Sequence, residues 1–381
     1  MKRSRGFLQM GGIRKNVRPL VFVGRNGMKR PSITVDEQIS LMKNHGIRFE
    51  CCDEASVRDF LENRTYFFKL KAFENNFTKS DGRYLNLDFD YLKDLSIIDY
   101  HLRELLNFLS LNIEHSIKTR FNKLIMNDPT EDGYSIVALL DPEGKYQFSD
   151  FGPDSKYKKS VYTEGLIRKY CPDPAIWHLW ETFSFYELVN AYEAYLKNRH
   201  IDDKACNLLN SVRFLRNASS HSNCLLIGIG KNINPTIYMK NCLKELTRLL
   251  GLKDTPLYDP LREYPLVHDF ASTLFAFLIF VDSPGIRNDA FTRLGLFSAR
   301  IWEKHDYRTL PPNTCPHLVR TLGTLQTLAD MVCQYMSLKQ HDFHKDKLLH
   351  CQPRPFNGSD IDGIAQMHAM AGAPIQSAGD K

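Results

Sequence analysis

Apolar residues recur along most of this chain at steps of three and four, and alternation at steps of two is scarce, so the pattern predicts a mostly α protein. The longest periodic segment lies between Asp90 and Asn127, where positions from Leu92 and Leu95 through Phe121 and Leu124 describe one helix with a single buried stripe, closed by Asp128-Pro129. Asp99/Arg103 and Glu114/Lys118 stand four apart on it, the spacing of surface ion pairs that each add ~0.3 kcal/mol. Two capping boxes mark other helix starts. Thr34 to Glu37 opens a helix ending at Gly46, and Ser184 to Glu187 opens one carrying Leu188, Tyr192 and Leu196. Residues 54–63 read as a short helix, the aromatic run Tyr66 to Leu70 with Phe73 and Phe77 as core, Asp81-Gly82 as a turn, and Ile176 to Trp180 as the start of an apolar helix. A helix from about Asp203 to His221 places Leu208, Val212, Leu215 and Ser219 inside, with Asn217 and His221 one turn apart on another face. Further helices are expected near 236–250, 266–281, 286–305 and 317–340.

Composition adds one asymmetry. The 381 residues are 43% apolar and 25% charged, as in ordinary globular proteins, and carry a net charge of +6. Residues 1–31 hold nine Lys or Arg and no acid, leaving 41 basic against 44 acidic residues elsewhere. That glycine-containing arm, with Arg14, Lys15 and Arg18, suits a phosphate backbone, and its alternatives are a solubilising tail or a cleaved organellar transit peptide, against which the scarcity of serine speaks. The segment 141–159 has the composition of an exposed loop, made basic by Lys156, Lys158 and Lys159. The apolar run Phe270 to Val281 is too short to span a bilayer, and no secretory signal is expected, so a cytoplasmic protein without a membrane segment is anticipated. Nine cysteines without a Cys-x-x-Cys pair indicate neither a disulfide framework nor a zinc site. No metal or cofactor is expected, and His341, His344 and His350 are spaced loosely, as on a solvated face.

The chemistry-bearing stretch is Arg216-Asn217-Ala218-Ser219-Ser220-His221. Arg/His pairs at such spacings arise about two or three times by chance in a chain of this composition, and Arg262/His268 and Arg300/His305 are further examples. Pro265 interrupts the second pair, and Trp302 marks the third as packing, whereas the first sits in continuous helix with a polar residue directly after the arginine. RNA carries its own nucleophile, so its cleavage requires a proton acceptor, a proton donor and an anion-binding group. His221 suits proton transfer near neutral pH, Arg216 presents a fork of donors to phosphate oxygens, and Asn217 can orient the imidazole. A separation of five residues sets Arg216 and His221 about 140° apart around a helix. Two such helices crossing at a symmetric interface would instead bring one chain's arginine to the other's histidine.

Several segments in order carry a resemblance: Pro31-Ser32-Ile33-Thr34-Val35-Asp36-Glu37-Gln38-Ile39, then Asp99-Tyr100-His101-Leu102-Arg103, Ile113-Glu114, Lys118-Thr119-Arg120, Ile176-Trp177, Phe183-Ser184-Phe185, and Arg216-Asn217 with His221. Together they resemble the abortive-infection AbiD/AbiF family, phage-defence proteins of the HEPN superfamily. The resemblance implies a HEPN-like helical bundle over 31–230; outside it, charge, periodicity and composition give a basic arm over 1–30, a helical region over 231–352 and a disordered tail over 353–381. The family's motif usually ends Arg-Asn-x-x-Ala-His-His, whereas this chain has Ser220 for the alanine and Ser222 for the second histidine. The resemblance further implies a nuclease that cuts RNA as a homodimer or with a second HEPN chain, or a non-cleaving protein that grips a small structured RNA through a surface including Arg213 and Arg216, with the basic arm and loop. A helical interaction protein whose Arg216/Asn217/His221 cluster only caps a helix or stabilises a dimer is the third reading.

Overall fold

A 38-residue helix, α4 (Phe89–Met126), forms the spine on which the other elements pack. Asp88 starts it by accepting the Asp90 N–H at 2.9 Å, and Asn127 ends it before Pro129. The computed structural model describes residues 32–141, 159–227, 230–231, 233–252 and 256–338. The basic arm with Arg14, Lys15 and Arg18, the loop residues Lys156 and Lys158, the His341/His344/His350 tract and the C-terminal tail lie outside the described residues.

Before α4 come α1 (Val35–Asn44), α2 (Glu54–Asn63), α3 (Phe67–Phe73) and a two-residue hairpin, β1 (Lys79–Ser80) with β2 (Arg83–Tyr84). The Thr34/Glu37 capping box forms as expected. So does the turn, with Asp81 and Gly82 at φ 50° and 80° joining two antiparallel strands. After α4 follow α5 (Ser135–Leu140), α6 (Glu164–Tyr170), α7 (Ile176–Leu179), α8 (Phe185–Asn198), α9 (Cys206–Ser220), α10 (Ile237–Leu249), α11 (Tyr258–Glu263), α12 (Pro265–Phe280), α13 (Pro284–Arg300) and α14 (Pro316–Leu338). The mostly α reading is therefore right.

Three details differ from the pattern. The helix expected at Ile176 is a single turn, α7. In the aromatic run, Leu70, Phe73 and Phe77 are core, but Tyr66 and Phe68 are exposed. On α4 the expected single stripe widens into adjacent rows, because Asp94, Asp99, Arg103, Leu106 and Ser110 are buried as well. Helices on several sides cause this, since α3, α8, α9, α12 and α13 all pack on α4.

One continuous apolar core runs from Ile39 to Met336. Its densest part is α12, which begins with Pro265 at its first position and is buried at every residue from Val267 to Phe280. Ser272 and Thr273 satisfy their hydroxyls within the helix, on the carbonyls of His268 and Asp269. Burial of each large apolar side chain here contributes about 1.5–3 kcal/mol. Helix α12 packs against α9 and α4, so the helices after residue 231 share their core with the segment before it. Among the described residues, no helix is long and apolar enough to cross a membrane.

Candidate functional site

Helix α9 lies antiparallel on α4, and a ladder of polar contacts fixes its register. Near its start, Arg120 of α4 donates to Asp203 and to the Tyr192 hydroxyl of α8, each at 2.9 Å. Further along, the Arg216 guanidinium approaches Glu114 at 3.7 Å, and Ser220 Oγ donates to Asn107 at 3.3 Å. Past its end, Asp99 Oδ1 accepts the N–H groups of Leu225 at 2.6 Å and Leu226 at 3.1 Å. As numbers rise along α9 they fall along α4. Glu114, Asp99 and Arg120, three of the α4 residues that carry the family resemblance, are thus points where α4 grips the segment bearing Arg216 and His221.

Asp99 corrects an expectation. Its pair with Arg103, Nε to Oδ2 at 3.0 Å, is no surface ion pair, because the carboxylate is fully buried and Arg103 nearly so. Burial pushes the Asp99 carboxyl above the usual carboxylate range, against the downward pull of the Leu225 and Leu226 amides and of Arg103. The sequence held a signal for this, since Asp99 falls among Leu95, Ile98, Leu102 and Leu106 on an apolar surface. Two more residues hold the segment after α9. Lys69 Nζ donates to the Ser222 carbonyl at 3.1 Å, and Asn76 Nδ2 donates to the Leu226 carbonyl at 2.8 Å. Burial lowers the Lys69 pKa, with the Arg103 charge acting in the same direction.

The end of α9 is a Schellman motif. The Asn223 N–H reaches the Ala218 carbonyl at 2.9 Å, the Ser222 N–H reaches the Ser219 carbonyl at 3.0 Å, and Ser222 takes the left-handed conformation with φ 55°. Helix α1 closes the same way with Gly46 at φ 81°, a residue free of the Cβ penalty. Ser222 is also the position where the AbiD/AbiF pattern has its second histidine, so that departure falls on a backbone conformation costing an ordinary L-residue about 1 kcal/mol.

This closure leaves His221, the cap residue, exposed, with Asn217 exposed one turn before it. Arg216 is half-buried. Its contacts to Glu114 (3.7 Å) and to Asn217 Oδ1 (3.4 Å) are both longer than a good hydrogen bond, and its Nε has no partner among the described residues. Glu114 is shared with Lys118 at 3.3 Å, a pair more enclosed than its spacing suggested. The Asn217 side chain turns to Arg216, while its backbone carbonyl receives the His221 N–H at 3.0 Å. Arg216 and Ser220 face α4, and Asn217 and His221 form a separate outer row. Arg213 lies half-buried on α9, stacked on Tyr186 and Phe214. Lys159 is exposed ahead of α6, and no hydrogen bond or ion pair joins it to α9 among the described residues.

The other two Arg/His pairs are structural. Arg300 pairs with buried Asp94, His305 Nε2 lies 2.7 Å from Asp90, and Trp302 packs near Tyr307. His268 is buried beside Asp269, and Pro265 separates it from Arg262 by starting a new helix.

Residues 59–226 match the family model described as Abi-like protein. The match ends at Leu226, the last residue held by Asp99, so it contains the whole ladder between α4 and α9 and supports an abortive-infection family for this segment. No curated protein and no solved structure matches the chain.

Proposed function

We propose that this protein acts in phage defence as an abortive-infection protein of HEPN type, an endoribonuclease that cuts RNA without a metal ion in the cytoplasm. The Abi-like match supports the defence role. The observation that carries the chemistry is the state of the α9 terminus: an exposed imidazole at His221 and, about one helical turn and a half before it, an arginine whose guanidinium makes only long contacts among the described residues.

In the reaction, a ribose 2′-oxygen loses its proton to a base and attacks the adjacent phosphorus. The bond to the 5′-oxygen breaks, and that oxygen takes a proton from an acid, giving a 2′,3′-cyclic phosphate and a 5′-hydroxyl. His221 serves in proton transfer, and Arg216 swings from Glu114 to the phosphate, whose equatorial oxygens gain charge in the transition state. Since Arg216 and His221 lie on different faces of α9, the complete site is assembled from two copies of the chain, one giving the guanidinium and the other the imidazole.

A second reading keeps the RNA and omits the cut. Arg213 favours it, having no carboxylate within ion-pair distance among the described residues and so a charge available to an anionic ligand. The protein would then hold a small structured RNA. The test is cleavage of RNA in EDTA by the wild type, His221→Ala and Arg216→Ala. Loss in both variants supports the nuclease. Equal cutting by His221→Ala removes the imidazole from the mechanism, and binding without cutting by the wild type leaves the second reading.

A further inference from the structure

Beside the Arg216/His221 terminus lies a layered cluster that no step of the cleavage uses. The Arg213 guanidinium sits 4.7 Å from the ring centre of Tyr186, at the start of α8, and 4.9 Å from that of Phe214 on α9. Both rings are open to water, Tyr186 at 51% and Phe214 at 40% of their surface. Two exposed rings gathered around one cation bring flat apolar faces and a positive charge together at the surface. Among the described residues the Arg213 Nε has no hydrogen-bond partner. Burial raises the carboxyl of half-buried Glu193 while Arg213 pulls it down, and no ion pair forms between them among the described residues.

The position matters as much as the chemistry. Phe214 precedes His221 by seven residues on one face of α9, about 10 Å along the axis at ~1.5 Å per residue, and Asn217 lies between them. A nucleic-acid strand whose phosphate rests at His221 would carry a neighbouring base to this cluster on the same face of α9.

We propose that Tyr186, Arg213 and Phe214 form a base-stacking subsite that selects an unpaired RNA strand. The proposal rests on the reading that RNA is the ligand of the α9 terminus, and deepens it by naming the substrate class. A flat aromatic face stacks on any base, and Arg213 adds a cation at the edge, so sequence matters little. Bases of a duplex are stacked on one another within the helix and present no free face, so paired RNA gains nothing from these rings.

The test uses the full chain carrying His221→Ala, so that the probe survives, and compares a fluorescent single-stranded oligoribonucleotide with the same strand in a duplex by anisotropy. The parent should prefer the single strand. Tyr186→Ala and Phe214→Ala should each weaken single-strand binding about tenfold and leave duplex binding unchanged, while Tyr186→Phe keeps both. Circular dichroism and sedimentation of each variant separate these effects from unfolding and from loss of a dimer. Absence of a single-strand preference in the parent overturns the proposal. So does equal weakening on both probes, or a Tyr186→Ala variant that binds normally but falls apart into monomers, which would make the rings a protein–protein contact. If the wild type never cuts RNA yet the Tyr186-dependent preference persists, the nuclease reading fails and the subsite stands.

Discussion

Asp99 in the middle of α4 accepts the backbone N–H of Leu225 at 2.6 Å, across 126 residues of sequence, and so ties down the chain four residues beyond His221. Removing the carboxylate leaves the Leu225 and Leu226 amides unpaired and the Arg103 charge enclosed without its partner. Asp99→Ala should lower stability by about 3 kcal/mol in denaturant titration. Asp99→Asn keeps an acceptor for the amides but sets an amide group against Arg103, so its loss should be smaller. Wild-type stability in Asp99→Ala would contradict the buried anchor.

At Ser222 the opposite change should help. The residue holds φ 55° at the close of α9, and glycine adopts this conformation without a Cβ clash. Ser222→Gly should raise stability by about 1 kcal/mol, read as a higher melting temperature. An unchanged or lowered melting temperature would show that the serine side chain compensates.

The two-chain site can be tested by complementation. Arg216→Ala and His221→Ala are each expected to be inactive as pure preparations. Mixed and allowed to exchange, half the dimers would carry one of each, and in those one site keeps both wild-type groups. Activity should return to about a quarter of the wild-type level, by the symmetry of a twofold pair. No recovery on mixing, with heterodimers confirmed by mass, would place both groups in the same chain.

Acid stability should depend on Asp128, just past α4. The Thr130 hydroxyl and amide, then the Tyr195 hydroxyl and Arg199, hold its carboxyl down to about 2. A folded pKa below the unfolded value of about 3.9 means these contacts stabilise the fold above pH ~4 and lose that effect as pH falls toward 2. Asp99 and Glu74 act in the reverse sense, because burial raises both carboxyls and protonation of each favours the fold. Denaturation of Asp128→Asn and wild type should therefore differ most above pH 4 and converge toward pH 2. A constant difference across that range would exclude the assignment.

Local signals made most helices readable before any coordinates. The Thr34 and Ser184 capping boxes, the breaks at Gly46 and Pro129 and the apolar periodicity of α4 and α9 are properties of neighbouring residues. What the sequence hid depends on partners far along the chain. Asp99/Arg103 has the spacing of a surface pair, and only the arrival of residues 225 and 226 makes it an interior anchor. Lys69 and Asn107 gave no hint of their contacts to the α9 terminus, and Arg213 gave none of the two rings around it. At the candidate site the composition was visible in Arg216, Asn217 and His221, whereas the direction of each side chain was set by α4.

The helix α12, apolar on all sides, lies outside the segment matched by the Abi-like model but directly beneath α9. Excising residues 59–226 as a portable cassette would strip α12 from α9 and expose apolar surface of α9 to water. Any shortened version of this protein intended to retain the Arg216/His221 terminus must bring its own apolar floor.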